Sequence, residues 1–420
     1  MVTSESEHRP LNVLISGAGI GGLAAAAALR QAGHLVQVFE RSSFKNEYGA
    51  AVSISPNANG ILRELGLALE DVGGVYAAKI NEYGADGALY RTTDAAGLAQ
   101  RYKYPWQYVH RVDLHSGLKD IATSPTGTGT PVTIHLGHRV SSVDNDTATL
   151  TLENGDRIHG DLVIAADGVN SALRDNVDHS GIHPSPFGLS SYRFLIPADI
   201  LYADPQTRRF IETGEFELWS GGNNKLVLYP CRDGNVLNCA FLITDDNPQE
   251  NKKEMTPEAM KQIVLDIVKD WHPDITALIN KVDPSAMGYW PLYDMPTLHT
   301  WISGRTALLG DAAHPFLPFQ GQGAAQAIED AIALAALLPL PQTSPTDVPE
   351  RLRLYQQARF ERVGLIQQHS REVGREDQEV TRTNNGTAFL YMDYNFGHDA
   401  RAHAAGLLAA NAGAQMQSVC

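Results

Sequence analysis

Residues Leu11 to Gly22 read LNVLISGAGIGG, an apolar run that breaks into Gly17, Gly19 and Gly22 at G-x-G-x-x-G spacing and flows into the Ala-rich stretch Leu23 to Leu29. The spacing has a chemical use. A tight turn at Gly17 needs a residue free of Cβ sterics, Gly19 leaves the backbone bare enough to touch a pyrophosphate, and Gly22 lets the next helix pack closely. That helix aims its unpaired N–H groups at the phosphates. A second apolar run, Leu35 to Phe39, ends in Glu40, where a carboxylate accepts hydrogen bonds from both hydroxyls of an adenosine ribose. Strand, turn, helix and acid together predict a dinucleotide with an unphosphorylated ribose, FAD or NAD.

The chain that must position this cradle has 420 residues, 43% hydrophobic and 19% charged. That suffices for two packed domains, or for one large α/β domain with an inserted layer. A net charge of −15 with no long basic run argues against nucleic acid and anionic membrane surfaces. A small anionic substrate would therefore need a local positive pocket. The three cysteines, Cys231, Cys239 and Cys420, lack metal-ligand spacing, and their odd count argues against a disulfide framework. The expectation is a reducing, cytoplasmic setting and no metal. The leader MVTSESEHRP is polar and reads as disordered, and the apolar stretches near 324–340 and 404–414 are interrupted by polar residues, so no membrane span is expected.

Ser55 to Leu67, behind a Ser-Pro start, predicts a short capped helix. Val132 to Leu136, Ala148 to Glu153 and Arg157 to Ala165, around the turn Asn154-Gly155, predict a hairpin leading into a buried strand. Alternating segments Phe216 to Trp219, Lys225 to Tyr229 and Val236 to Leu242 predict a second, sheet-rich layer. A helix follows from about Pro257 to Trp271, α/β character returns at Thr306 to Leu309, and the remainder is helical, with a long polar helix from Leu352 to about Arg375. The expected division is a leader at 1–10, a discontinuous cofactor domain at 11–75, 100–185 and 290–345, a β-sheet substrate layer at 76–99 and 186–289, and a helical region at 346–420.

Three more segments complete a pattern: VHRVDL (Val109 to Leu114), DLVIAADGVNSALR (Asp161 to Arg174) and RTALLGDAAHPFLPFQGQGAAQAIED (Arg305 to Asp330). In this order they resemble the FAD-contacting Arg segment, the Asp-Gly motif and the Gly-Asp motif of the class A, single-component flavin monooxygenases of aromatic compounds. The likeness is greatest to the salicylate hydroxylase type, and it spreads from about Val13 to Arg362. It implies an α/β fold: a Rossmann-like FAD-binding domain of the para-hydroxybenzoate hydroxylase type, an inserted mixed β-sheet substrate domain, and C-terminal helices.

The resemblance also implies roles. Arg111, Asp167 and Gly168 would serve FAD, the last two also a transient NAD(P)H, and Asp311 would accept a hydrogen bond from a ribityl hydroxyl. Pro318 and His314 would lie near the ring. Gly321, Gly323 and Ala324 would give a bare bend before a helix whose positive end favours negative charge on the reduced flavin. For Arg41 a phosphate partner and a surface ion pair stay open, and for His314 a proton-transfer role and a structural one. Where the family pattern G-x-G-A-N-x-A carries Asn, this chain has Ala325, a departure that points to a fungal biosynthetic branch.

For the substrate, Arg193 in SSYRFLIP and Tyr229 in LVLYPCRDG resemble the Arg and Tyr that hold a phenolate. An Arg lowers a nearby phenol's pKa by Coulomb attraction, whereas core packing or pairing with a carboxylate are the bland alternatives. Tyr355, Arg359 and Arg362 read as packing and ion pairing on one helix face, and Tyr391 to Asp399 as a cover over the domain seam. The resulting expectation is an FAD-dependent monooxygenase consuming NAD(P)H and O2. It would hydroxylate, epoxidise or dearomatise a small aromatic substrate through a C4a-hydroperoxyflavin, in secondary metabolism, as a monomer or homodimer. The alternative is a flavin-binding redox sensor or a non-hydroxylating flavin oxidoreductase.

Overall fold

The computed structural model describes residues 9–44, 50–248, 250, 255–375 and 391–419. The opening apolar run becomes strand Asn12–Ser16, and its Val13, Leu14 and Ile15 are all fully buried. A continuous apolar run suits a parallel strand covered on both faces. It pairs in parallel with Leu35–Glu40 on one side and Leu162–Ala165 on the other. The whole sheet runs Ile302–Ser303, Thr306–Leu308, Leu162–Ala165, Asn12–Ser16, Leu35–Glu40, Thr133–Leu136. Helix Ile20–Gln31, rich in alanine, packs closely on helix Gly323–Leu337 and seals one face.

The predicted hairpin forms between Thr149–Leu152 and Arg157–His159, but the run to Ala165 is split. The break falls at Gly160-Asp161 because Asp161 is anchored elsewhere: it accepts two hydrogen bonds from Arg9, both at 2.8 Å, and one from Asn12 N at 2.7 Å. Leu162–Ala165 is thereby delivered to the parallel sheet. Of the expected disordered leader, residues 1–8 lie outside the described residues, while Arg9 is fixed by that ion pair. Helix Pro56–Glu64 forms as expected with Ser55 at its N-cap. The Ser55 hydroxyl does not cap the backbone, however, and donates to Asn57 Oδ1 at 2.6 Å.

A second sheet of seven strands is ordered Gly288–Asp294, Ser185–Pro197, Val236–Thr244, Asn224–Cys231, Phe216–Gly221, Lys79–Gly84, Leu89–Asp94. It is mixed, since Phe216–Gly221 and Lys79–Gly84 run parallel while the other neighbours are antiparallel. The layer does not end at residue 289 as expected: Gly288 to Pro291 pair with Arg193 to Ser190, so strand Gly288–Asp294 belongs to it. Helices Pro257–Val268 and Pro273–Asn280 close one face over a core built on Phe194, Trp219 and Phe241. The opposite face looks toward the parallel sheet. Helix Val348–Arg375 then crosses the seam with Arg359 and Arg362 turned inward.

Candidate active site

Between the two sheets lies a cavity of about 580 Å³. Three helix starts open onto it: Gly19 before helix Ile20–Gln31, Arg111 at the head of helix Arg111–Thr123, and Gly323 at the head of helix Gly323–Leu337. Converging N-termini present N–H donors and positive potential, which suits an anionic, phosphate-bearing ligand.

The cradle is built as its spacing demands. Gly17 has φ +100°, donates to Phe39 O at 2.8 Å, and a Cβ there would stand 2.4 Å from Ala166 O. A Cβ on Gly22 would meet Gly17 O at 2.1 Å, whereas one on Gly19 would meet no protein atom within 4 Å. Gly17 and Gly22 are thus bare for the protein's own sake, and Gly19 is bare toward the cavity. Glu40 closes the turn, accepting from Ala18 N at 2.9 Å and from Ser42 N at 2.7 Å. Burial would raise its pKa, but these N–H groups outweigh it and hold the carboxylate below its usual range. Arg41 is exposed, outside the cavity wall.

Parallel pairing of Leu162–Ala165 with Thr306–Leu308 brings the Asp-Gly and Gly-Asp motifs to one end of the sheet. Buried Arg174 ties them together, donating to Val169 O at 2.9 Å, Ala312 O at 2.9 Å and Asp311 O at 3.1 Å. Asp311 is accessible from the cavity that it lines, and the protein packed around that cavity pushes its pKa up by desolvation against the pull of His314, Arg111 and Arg174. Asp167 turns onto its own loop: Oδ2 accepts from Ala172 N at 2.8 Å, while the buried Oδ1 has no partner among the described residues. Its neighbour Gly168 lines the cavity. Arg111 forms no ion pair with a carboxylate among the described residues. A bare Gly19, a guanidinium without a carboxylate partner among the described residues and an open Asp311 on one cavity wall suit a phosphate-bearing dinucleotide such as FAD.

That bend runs from the single turn Pro318–Gln320 through Gly321 (φ +61°) to Gly323 and Ala324, and Pro318, Gly321, Gly323 and Ala324 all reach the cavity. A buried network braces it. Asp330 accepts from Gly310 N at 3.1 Å and Arg359 Nε at 2.8 Å, and pairs with His314 Nε2 at 2.6 Å. Glu329 takes Arg359, Arg362 and, at 2.6 Å, Asn57 Nδ2. Gln326 links Arg359 to Gln322. Burial opposes ionisation of both acids, yet Arg362 and Arg359 for Glu329, and His314 and Arg359 for Asp330, hold them below the ordinary carboxylate range. The ion-pairing expectation for Arg359 and Arg362 is met here. His314 is placed behind the wall: its ring lies between Asp330 and Trp301, whose centroid is 4.8 Å away, and it does not line the cavity, which favours the structural of its two expected roles.

Arg193 and Tyr229 share one sheet face and line the same cavity. The Arg193 guanidinium has only a 3.4 Å contact from Nε to Ser191 Oγ and a position 5.7 Å over the Trp290 ring, and no carboxylate pairs with it among the described residues. Burial and Arg111 lower its pKa, with Tyr229 opposing. Tyr229 donates its proton to Ala51 O at 2.9 Å and stacks on Phe216, with centroids 5.6 Å apart; burial pushes its pKa up, so it presents a neutral ring and a lone pair. The seam segment does cover the site, through Met392, Asn395 and Phe396, and Asn395 Nδ2 donates to Gln320 Oε1 at 2.8 Å. Sequence reasoning missed Glu82 and Lys225, which also line the wall. The alternation Ile80-x-Glu82 within INEYG was the available signal.

Residues 10–370 match the family model described as FAD binding domain. Hispidin-3-hydroxylase of Neonothopanus nambi is 35% identical over 380 residues, covering 87% of this chain and 89% of that protein. FAD-dependent monooxygenase cfoG of Aspergillus candidus is 36% identical over 382 residues, covering 85% and 84%. A solved salicylate hydroxylase substrate complex superposes with a TM-score of 0.77 at 26% identity, over 96% of this chain and 98% of that one. With cradle, motifs and bend all inside the matched span, the chain belongs to the FAD binding domain family and is one of its flavoprotein monooxygenases.

Proposed function

We propose that this protein uses NAD(P)H and O2 to hydroxylate a small aromatic substrate held as a phenolate against Arg193. The observation that carries this is a guanidinium, unpaired with any described carboxylate, on the wall of the FAD cavity. Bound FAD supplies the activation of oxygen, which no side chain here can provide. The chain supplies the rest. Arg193 draws the substrate's hydroxyl proton off toward solvent by stabilising the oxyanion, which makes the ring carbon electron-rich. Tyr229, its proton engaged by Ala51 O, orients the ring through its aromatic face and accepting lone pair. Apolar walls, among them Val227, Leu218 and Phe396, exclude water. The start of helix Gly323–Leu337 sets positive potential beside the bend.

A biosynthetic setting is part of this reading, supported by Ala325, which is fully buried and brings no side chain to the cavity. So is a cytoplasmic one: Cys231 and Cys239 are free buried thiols, and among the described residues no helix is long and apolar enough to cross a membrane. The test is a flavin spectrum of the purified protein, then NAD(P)H consumption across a panel of phenols with 18O2 labelling of products. Stimulated consumption with label in a ring hydroxyl supports the proposal. Slow consumption with every phenol, and all reduced oxygen released as peroxide, would refute it and favour a sensor.

A further inference from the structure

The sheet face that walls the cavity has a second polar end that phenolate binding leaves unused. Strand register sets one row across five strands: Arg193 opposes Ala240, Ala240 opposes Val227, Val227 opposes Leu218, and Leu218 opposes Glu82. All five residues line the cavity. Four strand spacings put the ends of the row roughly 19 Å apart at the backbone. Even after both polar side chains reach inward, one aromatic ring does not span the gap.

Glu82 is only 5% exposed, and its Oε1 has no hydrogen-bond partner among the described residues; Oε2 lies 3.3 Å from Arg91. Burial raises its pKa, with Arg91 and Lys225 pulling the other way. Lys225 lies on the cavity wall one row along, opposite Leu242. A carboxyl oxygen so deeply buried without a partner is costly, and a turn of the Glu82 side chain that brings it to a ligand hydroxyl in the cavity would remove that cost.

We propose that Glu82 selects the far end of the substrate: the site takes an extended aromatic compound with an acidic hydroxyl at Arg193 and, across the apolar row, a second hydroxyl that donates to Glu82. This rests on the phenolate-binding reading above. The experiment titrates the FAD-loaded full chain with phenol, biphenyl-4,4′-diol and 4′-methoxybiphenyl-4-ol, following the flavin absorbance. The wild type should bind the diol about tenfold more tightly than its methyl ether, the worth of one buried hydrogen bond. Glu82→Leu should bring that ratio near one without altering phenol binding, and Glu82→Gln, which keeps an acceptor, should retain part of the preference.

Equal wild-type affinity for diol and ether, or a preference that survives Glu82→Leu, overturns the proposal while leaving the hydroxylase reading intact. If Glu82→Leu does not load FAD, Glu82→Gln decides, since an undiminished preference in that variant also overturns the proposal. No spectral response to any of the three compounds in the wild type overturns both readings.

Discussion

Three glycines in the cradle are bare for different reasons, and alanine at each should fail in a different way. At Gly17 an alanine meets both a positive φ of +100° and Ala166 O at 2.4 Å. The left-handed conformation alone costs about 1–2 kcal/mol, and the clash adds to it. At Gly22 the backbone is helical, so the penalty is the 2.1 Å approach to Gly17 O, an overpacking cost of about 1–3 kcal/mol. Gly19 differs, because its backbone is extended and its added methyl meets no protein atom within 4 Å. A weaker N-cap and a less flexible unfolded chain offset one another, leaving apo stability within about 0.5 kcal/mol. With the pyrophosphate at this turn, the methyl would stand in its place and cost about 1–3 kcal/mol of binding, or roughly 5- to 150-fold in FAD affinity. Thermal unfolding of the apoproteins and FAD titration by flavin fluorescence separate the cases. Gly17→Ala and Gly22→Ala should lower both stability and affinity, and Gly19→Ala affinity alone. A Gly19→Ala protein that binds FAD like the wild type would refute placement of the pyrophosphate at this turn.

Glu329→Gln breaks a fully buried pair with Arg359 and Arg362 and should cost about 3–5 kcal/mol in urea unfolding. Because the folded pKa of Glu329 lies below its ordinary 4.5, its contribution is complete above pH 4.5 and is lost as pH falls below that, so the variant should lack this part of the acid limb in a stability-against-pH series. Arg193→Gln should move the acid limb of kcat upward by about one unit or more as the bound phenol regains its ordinary acidity, with Arg193→Lys in between, in steady-state pH profiles. His314→Ala leaves Asp330 short of a partner and should lower stability by about 1–3 kcal/mol, while the kcat pH profile stays in place. Tyr229→Phe should lose about 0.5–1.5 kcal/mol of stability with its bond to Ala51 O, and again leave the pH profile unmoved.

The amino-acid order by itself determined whatever depends on neighbours along the chain. Gly17, Gly19 and Gly22 act within one turn, the runs Val13 to Ile15 and Leu162 to Ala165 declare buried strands, and the Asp167 and Asp311 segments announce their turns, because backbone sterics and local periodicity are short-ranged. Tertiary structure alone decided where distant groups meet. Asp161 ends a strand early because Arg9, 152 residues away, claims it. His314 faces inward because Asp330, sixteen residues on, sits on a helix packed behind it. Tyr229 commits its proton to Ala51, 178 residues earlier. Glu82 joins Arg193 in one row only through the register of five strands, and no stretch of sequence encodes such a register on its own, since each pairing is fixed by burial of one sheet face against the rest of the protein.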